Sequence, residues 1–427
     1  MPQMRFNKPP RTSKGKTKPF HWNRIILQPA EGRKPAIWDN IREETVDEDE
    51  IFDLFSIKKG AAKAKMGDSG AGAVAAAPGS DGKPVRVLDS KRFNAISFMK
   101  NKLPPDDQLM SIIKGFEVEK IEKEMVHEMY VNLVTPEEEQ MIKDVMAPGV
   151  ILDVPEQFSM MLTSVPSIHQ RLHCWDFMNN FDDQLVDIGP PLVVIQKACN
   201  EIRSSPSLKK FLGVVLSIGN YLNAGNTNRG QADGFNLETI NSISDFKDTS
   251  NSQTIMDIAL KYINTTIISE LEHIPEAAGI DLKYISGSFA KLSGEVNLVR
   301  KDGEAASVGG ADPFKNRWGD FIITVDKQME NIKNEVRKTN EMFNDLLDWF
   351  TTSPEKSKNY TSESFFGIFS SFIGAVKAME RKKKARVPAG ARGFGKKIGD
   401  GDDPMADIIA KIKAGQGKKI AIADGSK

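Results

Sequence analysis

Cysteine is nearly absent: Cys174 and Cys199 are the only two in 427 residues, which excludes a disulfide-stapled fold. Net charge is missing as well. Lys plus Arg and Asp plus Glu each number 58, so no global field commits the chain to nucleic acid or a membrane surface. No run approaches the roughly 18 apolar residues that cross a bilayer, and no apolar N-terminal stretch suits a signal peptide. A cytoplasmic protein is the expectation. Strand-like alternation of useful length is lacking from Val85 onward, which points to an all-α fold. The length suits two or three domain-sized units or one elongated helical domain.

Catalytic patterns are lacking too. There is no Gly-x-Ser-x-Gly elbow and no kinase signature set. His169, His173 and Cys174 lie close in sequence, but no second His/Cys pair completes a zinc site. Gly225 to Gly230 has the glycine spacing of a phosphate loop, yet no Lys-Ser/Thr follows and the loop leaves a helix rather than a strand. The expectation is a binding machine rather than an enzyme, with no cofactor and no metal.

The most informative stretch is 205–237. Leu208, Phe211, Leu212, Val215, Leu216 and Leu222 recur at three- and four-residue spacings, the pattern of a helix with an apolar face. Ser205 is suited to cap it and Pro206 to its first position. Gly213 and Gly219 interrupt that face, at a cost of up to about 1 kcal/mol each relative to Ala. Something is therefore expected to approach the backbone there. The helix opens into Asn223, Gly225, Asn226, Asn228, Gly230 and Gly234, residues suited to turns.

Residues 1–19 are basic and polar and are expected to be a disordered lead-in. In the arm, residues 20–57, Trp22 and Trp38 lack an obvious local core, and Trp is enriched among interface anchors. Residues 58–84 collapse into Gly, Ala, Ser and Lys, the composition of a flexible tether. Residues 85–385 read as a helical body. Leu109, Ile112, Ile113, Phe116, Ile121, Met125, Met129 and Leu133 predict one amphipathic helix. Thr135-Pro136-Glu137-Glu138 is a capping box that starts the next, and Asp153 begins another. Ile168 to Ile188 keeps helical spacing until Gly189-Pro190-Pro191. Arg300–Asp312 reads as a loop, after which Phe314 to Phe350 repeats with a period near about 3.5, as in a coiled-coil seam. The last helix carries Phe365, Phe366, Phe369, Phe372, Ile373 and Val376. Residues 386–427 form a basic tail in which Met405, Ile408, Ile409 and Ile412 make a short apolar face that must find a partner.

Four patches in order carry a resemblance: Lys18-Pro19-Phe20-His21-Trp22 with Ile37-Trp38-Asp39, Leu88-Asp89-Ser90-Lys91-Arg92, Gly219-Asn220-Tyr221-Leu222-Asn223-Ala224-Gly225, and Gly234-Phe235-Asn236-Leu237 with Phe246-Lys247-Asp248-Thr249-Ser250. Over roughly 18–385 the chain resembles the formin homology-2 domain. That resemblance implies an elongated all-α domain of lasso, flexible linker, knob, coiled coil and post, with the post around 205–265. Two chains would form a head-to-tail ring. It implies actin nucleation and processive barbed-end binding and elongation by a homodimer in the cytoplasmic actin cytoskeleton. The lasso of one subunit would encircle the post of the other, placing Trp22, Trp38, Gly219, Asn220, Tyr221, Asn223 and Gly225 at the dimer interface. Actin would be touched by Phe98, where the family usually has Ile, and by Lys247. Ala95 stands where Asn is usual. The tail, through Met405, Ile408, Ile409 and Ile412, resembles both a formin autoregulatory segment and an actin-monomer-binding WASP-homology-2 motif. Profilin–actin would be recruited only through a proline-rich region, absent here, and control by a Rho-type GTPase would need an N-terminal region outside this chain. The competing class is a helical dimeric scaffold whose basic tail binds filament sides, microtubules or membrane without nucleating actin.

Overall fold

A computed structural model describes residues 8–29, 33–56, 87–146, 151–307, 312–351 and 357–386. The tether and the tail residues Met405, Ile408, Ile409 and Ile412 lie outside them.

The arm begins in the structure before residue 20, because Arg11 pairs with Glu43 and the Lys18 amide donates to the Phe55 carbonyl; it contains β1 (Arg24–Ile25), a 3-10 turn at Ile37–Asp39 and α1 (Glu48–Phe55). Five shorter helices follow: α2 (Ser90–Lys100), α3 (Asp106–Gly115), α4 (Lys123–Asn132), α5 (Pro136–Val145) and α6 (Val154–Thr163). Then come α7 (Ile168–Val186), α8 (Gly189–Ser204) and α9 (Pro206–Leu222). Past the glycine- and asparagine-rich loop lie β2 (Gly234–Phe235), α10 (Glu238–Asp245), α11 (Ile255–Ala259), α12 (Ile267–Glu270) and α13 (Ile274–Ala277). Long helices close the order: α14 (Leu282–Ala306), α15 (Pro313–Thr351) and α16 (Ser362–Arg386). The fold is all-α, as expected. A small ladder, β1 antiparallel to β2, pairs Arg24 with Phe235 and Ile25 with Gly234, and so ties the arm to the loop after α9.

Local chemistry explains the starts of these helices. Asp89 accepts from the Lys91 and Arg92 amides, Thr135 and Glu138 cap each other reciprocally, and Ser205 accepts from the Leu208 amide. Burial explains their arrangement. α7 packs on α14 and α4, and α15 on α8 and α14. Phe116 wedges between Trp175 and Phe314, with ring centroids 5.0 and 4.9 Å away. α9 is buried from Phe211 to Leu222 on every side, more than the single apolar face its spacing predicted. A helix buried all round belongs at the centre of a body rather than on its surface.

Four expectations need correction. Residues 8–19 are packed rather than a disordered lead-in: Arg11 pairs with Glu43 at 2.6 Å and the Thr17 hydroxyl donates to the Leu222 carbonyl at 2.9 Å. The single helix expected over 109–133 is two, because Phe116 adopts φ 48° and turns the chain out of α3. Gly189-Pro190-Pro191 does not merely end α7; the prolines occupy the first turn of α8, where a missing N–H is harmless. Helix α14 runs on to Ala306, through part of the stretch read as a loop. A Cβ at Gly303 would sit 1.9 Å from the Trp318 indole nitrogen, so the glycine there lets α15 approach α14.

Candidate functional site

The first candidate surface is where the arm meets α9 and the loop after it. Gly213 and Gly219, expected to admit a close neighbour, do so, and so does Gly234, which the sequence suggested only as a turn residue. A Cβ on Gly219 would lie 2.3 Å from the Trp22 ring, one on Gly234 would lie 2.2 Å from the Trp38 ring, and one on Gly213 would lie 2.4 Å from the Arg42 carbonyl. Trp22 and Trp38 both stack or tilt against Phe235, at 5.6 and 4.6 Å between centroids. Their indole N–H groups donate to the Arg229 and Phe350 carbonyls at 2.9 and 3.4 Å.

The asparagines supply the polar half of this seat. Asn223 donates to the Phe20 carbonyl at 2.9 Å and accepts from the Phe20 amide at 3.1 Å, pairing with the arm as a backbone strand would. Asn220 bridges the Ala232 amide and carbonyl and donates to Glu43. Burial holds the Tyr221 phenol above its usual range, with Lys14, Glu48 and Asp49 of the arm among its charged neighbours. Gly225 differs from the other glycines. Nothing approaches it, and its φ of +74° is the reason a glycine serves at that bend. All these contacts form within one chain.

The second surface is the turn after α10. Lys247 bridges to Thr254 across it and its side chain is exposed. Asp248 is buried; its carboxylate accepts from the Ser250 and Ser252 hydroxyls, each at 2.7 Å, and from the Ser252 amide. Burial raises the Asp248 pKa and these hydrogen bonds outweigh it, so the net shift is downward. Sequence order placed acids on both sides of Lys247, but only Asp245 remains on the surface. Phe20, Phe55 and Phe246 form an aromatic cluster here that sequence reasoning missed, although Phe20 stands inside the quoted motif.

The third lies on α2. Phe93, Ile96 and Met99 point into the body, while Phe98 is 62% exposed. Lys102 lies over its ring, 4.4 Å from the centroid, and is held there by Glu128 at 3.1 Å. Beside it opens a cavity of about 220 Å³ lined by Met99, Leu103 and Met125 together with Lys102, Glu122, Glu124 and Glu128. Arg92 anchors the start of the same helix, donating to the Glu138 carboxylate at 2.9 Å and to the Leu133 carbonyl at 2.9 Å.

Two of the suspected metal ligands are otherwise engaged, while the Nε2 of His169 is buried with no hydrogen-bond partner. His173 bonds Asp302 at 2.7 Å, Cys174 is buried against the Val299 carbonyl, and no cluster fit for a metal occurs among the described residues. Burial pushes the Cys174 thiol well above its usual range, and that of Cys199 up to about 12. Neither is a ready nucleophile at neutral pH. Among the described residues no helix is long and apolar enough to cross a membrane.

The sequence matches the Formin Homology 2 Domain over residues 7–377. The chain belongs to the formin homology 2 family. Formin-C of Dictyostelium discoideum is 32% identical over 374 residues, which is 83% of this chain and 32% of that protein. Formin-2 of Mus musculus is 25% identical over 396 residues, 87% of this chain and 25% of the relative. Protein diaphanous of Drosophila melanogaster is 24% identical over 376 residues, 86% and 34% of the two chains. The formin chain described here thus spans about a third or less of the length of these relatives. The formin match begins at residue 7, and the packed segment from residue 8 belongs to the same body rather than to a loose leader.

Proposed function

We propose that this chain assembles actin: it nucleates filaments and stays on the barbed end as a homodimeric ring while subunits add. Family membership supports the class of activity. The observation that carries it to residues is Phe98, a large aromatic left 62% exposed between buried neighbours on one helix. An exposed ring backed by a cation is an anchor for an apolar cleft on a partner. Phe98 has the shape of such an anchor, and Lys247 supplies a separate charged contact.

The ring follows from the arm. Its seat on α9 is built from segments about 200 residues apart in sequence, joined through residues 57–86. A tether of the composition read for residues 58–84 would span about 30 Å on average, enough for the seat to accept an arm from a second chain by the contacts it makes with its own. Two chains that exchange arms close into a head-to-tail pair. The tail, which lies outside the described residues, would add a salt-sensitive contact through Met405, Ile408, Ile409, Ile412 and its basic residues.

Actin assembly followed by pyrene fluorescence tests the activity, and single-filament imaging tests its site. The parent chain should accelerate assembly and dwell on barbed ends, and Phe98→Ala should lose most of both while sedimenting like the parent. If Phe98→Ala dwells as long as the parent, the assignment of Phe98 is wrong.

A further inference from the structure

We propose that Lys18 of the arm is a positioning residue for Lys247, so that the charged filament contact is complete only where an arm is seated. This rests on the reading of Lys247 as an actin contact. The turn that carries Lys247 closes mostly on itself: the Ile255 amide donates to the Phe246 carbonyl at 3.1 Å and the Asp248 amide to the Gln253 carbonyl at 2.8 Å. The Lys247 carbonyl faces the arm instead. It accepts from the Lys18 ammonium at 2.8 Å.

That ammonium also lies over the Phe246 ring, 4.5 Å from its centroid. Phe20 meets the same ring edge-on at 5.1 Å and Phe55 stacks on it at 5.6 Å. Two residues beyond Lys247, the Thr249 amide and hydroxyl both donate to the Leu54 carbonyl at 2.8 Å. Residues 246, 247 and 249 are therefore all gripped by the arm. None of these grips remains when the seat is empty.

Two consequences follow for an acidic partner. The backbone that aims the Lys247 side chain is held by a charge-assisted hydrogen bond, a stronger restraint than a neutral one. The Lys18 ammonium is itself engaged by the Lys247 carbonyl and the Phe246 ring, and the Asp248 carboxylate is turned inward onto its serines. The partner therefore meets the Lys247 charge on a backbone held in place, without the Asp248 charge beside it. Arm seating and filament binding are in this way coupled at a single turn.

The test uses the full chain, with barbed-end dwell measured on single filaments at low and high salt for Lys247→Ala, Lys18→Met, Lys18→Arg and the Lys18→Met/Lys247→Ala pair. Lys18→Met keeps the apolar stem and should shorten dwell about threefold to tenfold, flatten its salt dependence and leave the dimer mass unchanged. Lys18→Arg, which keeps both the donor and the ring contact, should restore dwell. The double variant should dwell no more briefly than Lys247→Ala alone. Phe246→Leu, which removes the ring but stays apolar, gives an independent route and should shorten dwell in the same direction. A short-lived Lys247→Ala beside a Lys18→Met that matches the parent overturns the coupling and leaves the function of Lys247 standing, as do losses that multiply in the double variant. A Lys247→Ala that itself matches the parent overturns the reading of Lys247 and this inference with it.

Discussion

Trp22 and Trp38 are 6% and 2% exposed, whereas Phe98 is 62% exposed. The two tryptophans stand on a segment with little regular structure of its own, and Phe98 on a well-formed helix. Regular structure is thus no guide to which aromatic finds a partner within the chain. The tryptophans are satisfied because Gly219 and Gly234 leave space against backbone and because carbonyls lie in reach of both indole nitrogens. Phe98 has no such notch. Ile96 and Met99 already occupy the inner faces of α2, and Lys102 lies over the exposed ring. One region buries its apolar surface within the chain, and the other leaves it in solvent.

The largest effect expected from breaking this contrast is at the arm. Removing both anchors, Trp22→Ala with Trp38→Ala, deletes two buried indoles worth about 3–5 kcal/mol each. The arm should leave its seat, and sedimentation at micromolar concentration should show mostly monomer with helical circular dichroism preserved. An unchanged dimer would sink the role given to the arm. Filling a notch attacks the same contact from the other side: Gly219→Val should reproduce the loss, because a Cβ there collides with the Trp22 ring.

On α2 the effect should fall on binding alone. Phe98→Ile keeps an apolar contact and changes its shape, so barbed-end dwell should match or exceed that of the parent, while thermal stability should move by less than about 0.5 kcal/mol for so exposed a position. A large loss of stability in Phe98→Ile would place the ring in a core and remove the contrast. Lys247→Ala should act more mildly than Phe98→Ala, chiefly on dissociation rate, which filament dwell reads directly.

The smallest effect sharpens the comparison at the base of the seat. Glu270 accepts from the Ser205 and Ser207 hydroxyls, each at 2.5 Å, and from the Ser207 amide at 3.1 Å, at the start of α9. Burial raises its pKa and these hydrogen bonds more than offset it, leaving the group below the usual carboxylate range. A folded-state pKa below the unfolded value adds stability above the unfolded pKa, and that stability is lost as pH falls through the folded pKa. Glu270→Gln should therefore cost about 1 kcal/mol at neutral pH. Thermal melts of parent and variant should converge below about pH 4, the range in which an ordinary Glu protonates.

Much of this was legible in sequence wherever the deciding interaction is local. The caps at Thr135, Asp153 and Ser205 act on amides one to three residues away, so residue identity at those positions announces the helices. The interruptions at Gly213 and Gly219 announced a close neighbour for the same reason, since a glycine at a buried helical position costs stability that something must return. What touches those glycines was not legible from spacing, because Trp22 lies 197 residues before Gly219 in the chain.

Tertiary structure alone decided the remainder. The left-handed conformation falls on Phe116 and not on the adjacent Gly115, where residue type would put it; the Phe116 ring is held between Trp175 and Phe314, which come from helices distant in sequence. The extension of α14 past Arg300 depends on Trp318 of α15 filling the space a side chain at Gly303 would need. The inward turn of Asp248 depends on how the chain from Phe246 to Ile255 folds back on itself, and the packing of residues 8–19 on partners such as Glu43 and Leu222. Sequence by itself determined where helices start and where backbone must be approached closely, since those follow from residues within a turn of one another. Which faces meet, and which aromatic is left in solvent, was decided by neighbours that only folding brings together.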